Sequence, residues 1–168
     1  MQFIFILALI VVPSFGAPID NTVDVSADLR YKPYELVEKL SAAAKAGVDV
    51  IFKNPEQSRA ALASALETLF TSSTVNDSDK ALYATYKTEV ADKQAKLVAR
   101  IDAGIAAASL TDSQKALYAT LKAIFENQNI SEKQSEQDIE AASQNAPEAD
   151  RLAVEKAVLE GLTKVSDF

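Results

Sequence analysis

Three glutamates, Glu132, Glu136 and Glu140, recur every four residues within "SEKQSEQDIEAASQ". On a helix this spacing brings their carboxylates along one face, and oxygen ligands of that kind suit Ca²⁺ or Mg²⁺. The competing reading is a solvated acidic face, because no loop supplies the alternating ligands of an EF-hand. "NDSD" at Asn76 to Asp79 also gathers oxygen atoms in a short span, but helix capping accounts for them more simply. "NDS" at Asn76 and "NIS" at Asn129 are glycosylation sequons at expected turns. Asn129 is the better acceptor, since a glycan on Asn76 would compete with capping.

Tyr83, Tyr86 and Tyr118, with Phe70 and Phe125, form a third group with chemical potential. They could line an apolar cavity for a fatty acid or another small lipid, or serve as ordinary packing residues of a bundle. Nothing supports a catalytic site. The chain has no His and no Cys, which removes histidine-dependent triads, Cys/His zinc sites, His-ligated haem, disulfides and thiol chemistry. A net charge of −7, with basic residues scattered among acids, argues against nucleic acid.

The elements that must position these residues read as helices. Leu36, Val37, Leu40, Ala44, Val48 and Ile51 share one face of a helix expected from Tyr34 to about Phe52, weakened at Gly47. Asn54 as cap and Pro55 in the first turn predict a second helix to about Phe70, with Leu62, Ala65, Leu66, Leu69 and Phe70 inward. A third runs from after Asn76 to about Ala108, with a break plausible at Asp92 to Gln94 or at Gly104. Thr111 with Gln114, and Ser131 with Gln134, have the form of capping boxes for the next two. Pro147 opens a final helix to about Val165, with Leu152, Val154, Val158, Leu159 and Leu162 inward. No segment reads as strand, so the fold class is all-α: a compact bundle of five or six helices.

Two internal echoes suggest repeated helix–turn–helix units. "DSDKALYATYK" (Asp77 to Lys87) returns as "DSQKALYATLK" (Asp112 to Lys122), with nine of eleven positions identical and the apolar residues in phase. More weakly, "IFKNPEQS" (Ile51 to Ser58) resembles "IFENQNIS" (Ile124 to Ser131). Each has an apolar helix end, an asparagine-bearing turn and a new helix start.

At the amino terminus, the apolar run from Phe3 to Val12, then Pro13, Ser14 and Gly16, has the pattern of a signal peptide cut after Gly16. Residues 1–16 are read as that signal, 17–32 as a flexible leader and 33–168 as one helical domain. The later sequence has no stretch of the roughly 20 apolar residues that a membrane span needs, so stable transmembrane anchoring is not expected.

The stretch "IFENQNISEKQSEQDIEAASQNAP" (Ile124 to Pro147) resembles the nematode secreted SXP/RAL-2 family, whose domain is also described as Ani s 5-like. The resemblance rests on Phe125 at a helix end, Asn127 and Asn129 in the turn, and Ser131 opening the next helix. Acidic and glutamine residues from Glu132 to Gln137 then precede Ile139, Ala141 and Ala142. An alanine, Ala141 or Ala142, stands where family members often carry tryptophan. The resemblance implies an all-α extracellular protein with a cation-binding domain label and no established enzymatic activity. The expectation is therefore a secreted, non-enzymatic binding or interaction protein, cation-binding by resemblance, whose partner is an extracellular protein or small ligand. The alternative is a carrier of a small lipid in the bundle interior.

Overall fold

A computed structural model describes residues 33–163. The expected signal peptide, the leader and the last residues of the expected final helix lie outside the described residues. Seven helices are present among them: α1 (Pro33–Lys39), α2 (Ala42–Phe52), α3 (Arg59–Thr71), α4 (Asp77–Ala107), α5 (Asp112–Glu126), α6 (Glu132–Asn145) and α7 (Glu148–Thr163). The fold is all-α. Within the described residues, extended pairing is limited to an isolated antiparallel bridge between Ser58 and Ser131.

The single helix expected from Tyr34 to Phe52 is two. Ser41 is extended (φ −62°, ψ 160°) and its Oγ accepts from Ala44 N, capping α2. Its own N–H donates to Asp79 Oδ1 at 3.0 Å, and its hydroxyl to Asp79 Oδ2. These bonds outcompete helix continuation. Asp79 is only 2 % exposed, and the Ser41 bonds, chiefly the hydroxyl, hold its carboxyl below the ordinary value of 3.8.

The second expected start also moves. Asn54 Oδ1 accepts from Glu56 N at 3.2 Å, so Asn54 organises a turn and does not cap a helix. Ser58 takes the capping role, accepting from Ala61 N, and α3 begins at Arg59. The capping box of α5 is complete between Thr111 and Gln114. That of α6 is half made: Ser131 Oγ accepts from Gln134 N, but the Gln134 amide turns to Asp138.

No break interrupts α4, whose 31 residues make a rod of about 46 Å at about 1.5 Å per residue. Gly104 serves a crossing. A Cβ added there would lie 2.5 Å from Ala157 O and 2.6 Å from Gly161 Cα, and one on Gly161 would meet Arg100 O at 2.5 Å. Hence α4 and α7 meet backbone to backbone, and this is the most extensive contact among the described helices. Ala157, Val154, Val158 and Leu162 are buried against it. Leu152, expected to face inward, is 43 % exposed because that stripe lies on another face of α7.

Two hydrophobic clusters result, and α4 contributes to both. One contains Leu40, Ala44, Val48, Phe70, Val75 and Tyr83. The other contains Leu97, Ile101, Leu121, Phe125, Ile139, Val154, Val158 and Leu162. The polar helix α6 belongs to the second through Ile139, with Ser135 and Ser143 buried one turn to either side.

Candidate functional site: paired turns beside an amphipathic cleft

The turn between α2 and α3 lies against the turn between α5 and α6. Arg59 N donates to Ile130 O at 3.1 Å and Ala60 N to Gln128 O at 2.8 Å, flanking the Ser58–Ser131 bridge. These are the weakly similar stretches "IFKNPEQS" and "IFENQNIS", so the fainter echo marks two hairpins that pair. The clearer echo, on α4 and α5, does not place equivalent residues in equivalent surroundings. Tyr83 stacks on Phe70 with ring centroids 4.2 Å apart, whereas Tyr118 donates its hydroxyl to Asp102, which also receives Lys122. Burial tends to raise the Asp102 carboxyl, but the hydrogen bonds from Lys122 and Tyr118 hold it below its ordinary value.

Arg59 is the first residue of α3, and Glu132, 73 residues later, is the first of α6. They meet across the turn pair. Arg59 Nε donates to Glu132 Oε2 at 2.9 Å, while Nη1 donates to Phe125 O at 2.7 Å and Asn127 O at 3.1 Å. The guanidinium also sits 6.0 Å from the Phe125 ring centroid. Arg59 is 5 % exposed, so one buried cation ties the carboxylate of one hairpin to the carbonyls that end its first helix.

Beside this cluster opens a cleft of about 570 Å³, walled by residues of α3, α4, α6 and the first turn. Leu62, Leu66, Tyr83, Tyr86 and Val90 supply apolar wall, and Arg59, Glu132, Lys133 and Glu136 supply polar wall. Tyr83 and Tyr86 stack at 6.1 Å, and burial pushes both phenols up to about 12. Lys133 Nζ is 2.6 Å from Glu56 Oε1. Burial raises the Glu132 carboxyl, with Arg59 only partly offsetting it and nearby Glu136 adding to the rise. Glu132 Oε1 is buried and has no hydrogen-bond partner among the described residues.

The family model described as SXP/RAL-2 family protein Ani s 5-like, metal-binding domain matches residues 1–160. The chain belongs to the SXP/RAL-2 family. No curated protein and no solved structure matches it.

The three glutamates of this SXP/RAL-2 chain do not converge. Successive members of a four-residue series rotate by about 40° around a helix. Glu132 turns to Arg59, Glu136 lines the cleft, and Glu140 accepts from Gln144 Nε2 at 3.0 Å on the exposed side. Among the described residues no group of three or more His, Cys, Asp or Glu is placed to hold a metal. A metal taken at this end would have the free Glu132 oxygen and Glu136 as protein ligands. That fits an ion that keeps most of its water, as Mg²⁺ does, and not a dehydrated Ca²⁺ cage of six to eight oxygens.

Of the aromatic residues named from sequence, Tyr83 and Tyr86 line the cleft, while Phe70, Phe125 and Tyr118 pack elsewhere in the two clusters. Asn129 is exposed in the second turn. Asn76 caps α4, accepting from Asp79 N at 2.8 Å. Sequence reasoning missed Arg59. Its available signal was a basic residue directly after the repeated turn, facing an acidic residue at the matching position.

Proposed function

We propose that this protein is a secreted, non-enzymatic binding protein that takes a cation at the polar end of the cleft between α3, α4 and α6. The observation that carries the reading is Glu132 Oε1, a buried carboxylate oxygen with no hydrogen-bond partner among the described residues. A buried acceptor left unsatisfied costs about 1–3 kcal/mol, and a bound cation relieves that cost. The metal-binding description of the matched domain supports the same reading. Secretion rests on the signal-like start of the sequence, and no helix among the described residues is long and apolar enough to cross a membrane.

Calorimetric titration with MgCl₂ and CaCl₂ tests it, with Glu132→Gln and Glu136→Gln as controls. Binding that weakens in Glu132→Gln is the expected result. The absence of heat and of any melting shift with Mg²⁺, Ca²⁺ and methylammonium alike would remove the proposal. The second reading, a carrier of a small lipid, is favoured by the apolar wall of the cleft, which has the size of small-molecule sites. Lipid retained in native mass spectra of protein from its own secretion supports it, and empty spectra oppose it.

A further inference from the structure

We infer that the cleft binds an amphiphile with an ammonium head: the head donates to Glu132 Oε1 and the tail lies along Leu62, Leu66, Tyr86 and Val90. This rests on the cation reading above and names the class of cation. Two observations combine. The cavity of about 570 Å³ has a wall that is mostly apolar, far more than a hydrated metal ion uses. Its one buried acceptor without a partner among the described residues is a carboxylate oxygen.

The polar end discriminates between head groups. Arg59 already donates to Glu132, Phe125 and Asn127, and Lys133 is held by Glu56. A fatty-acid carboxylate would add a third negative charge beside Glu132 and Glu136, and the two lysines of the cleft wall, Lys87 and Lys133, are held by Glu67 and Glu56. An ammonium carries three donors and no acceptor, so it supplies what Glu132 Oε1 lacks and is attracted by Glu136. Immersing an alkyl tail among leucine, valine and tyrosine side chains adds the hydrophobic contribution that a bare ion does not have.

The test uses the folded protein and four probes of stated chemistry, dodecylammonium, dodecanoate, methylammonium and Mg²⁺, the two dodecyl probes kept below their micelle concentrations and all four read by calorimetry. Dodecylammonium should bind at one per chain, at least tenfold tighter than dodecanoate and methylammonium. Glu132→Gln should weaken it at least tenfold. Leu66→Trp, which fills the cleft away from the turns, should abolish it while Mg²⁺ binding persists. Should Mg²⁺ or methylammonium bind but dodecylammonium no tighter than methylammonium, the amphiphile proposal falls and the cation reading stands. If dodecanoate binds as tightly as dodecylammonium, or Glu132→Gln leaves dodecylammonium binding unaffected, the head-group assignment is overturned.

Discussion

Replacing Arg59 with methionine keeps much of its length and removes its charge and donors. Glu132 Oε2 then loses its partner at 2.9 Å, and the carbonyls of Phe125 and Asn127 lose theirs at 2.7 and 3.1 Å. The Arg59 side chain is 4 % exposed and that of Glu132 23 %, so water replaces little of this. Removing one partner of a buried pair costs about 3–5 kcal/mol, a large part of the 5–15 kcal/mol typical of a domain. The midpoint of thermal unfolding should drop by roughly 10–15 °C. Arg59→Lys should fall between, since one ammonium cannot span the carboxylate and both carbonyls. In Arg59→Met/Glu132→Gln the stranded charge is gone while the carbonyls stay unserved, so part of the loss returns as a coupling of about 1–3 kcal/mol. Urea unfolding of wild type, Arg59→Met, Glu132→Gln and the double variant measures the coupling, with Arg59→Lys unfolded beside them. A loss below about 1 kcal/mol in Arg59→Met, or strict additivity in the double variant, would refute the role given to the buried guanidinium.

Gly104→Val should destabilise by about 1–3 kcal/mol or more, because its side chain enters the backbone of α7; thermal melting of the variant checks it, and an unchanged midpoint would contradict the close crossing. Asp79 has its folded carboxyl held below 3.8, so its bonds to Ser41 add stability above that value and lose it as the pH falls through the lower folded value. Denaturant unfolding between pH 6 and 2 should therefore show an acid loss that shrinks in Asp79→Asn, and equal slopes would count against it. Asn129, exposed in its turn, should carry a glycan when the chain is made through a secretory pathway, whereas Asn76 should not. Peptide mass mapping of the secreted protein decides between the two sites.

Helix identity was legible in the sequence because capping chemistry is local. Thr111 with Gln114 and Ser131 announced α5 and α6, and the bounds expected for the third helix, from after Asn76 to about Ala108, match those of α4. Where two local signals competed, tertiary bonds chose. Ser41 breaks the first helix because Asp79, far along the chain, holds it extended. Asn54 yields to Ser58 because the Ser58–Ser131 bridge fixes where α3 begins. The candidate site was less legible for the same reason. Tyr86 and Glu136 could be placed on their helices, but that they wall one cleft with Glu132 depends on how the two turns pair. Gly104 suggested a break when considered alone; only Gly161, opposite it, shows a crossing.

Arg59 and Glu132 stand at matching positions of two related hairpins with opposite charges. Had the hairpins been identical, self-pairing would have set arginine against arginine or glutamate against glutamate. The difference gives each hairpin an address for the other and a penalty for meeting its own kind. A chain severed in the short link between α4 and α5 would yield two fragments that recognise each other and not themselves. In intact chains that exchange halves, the same rule sends the first hairpin of one molecule to the second hairpin of its neighbour.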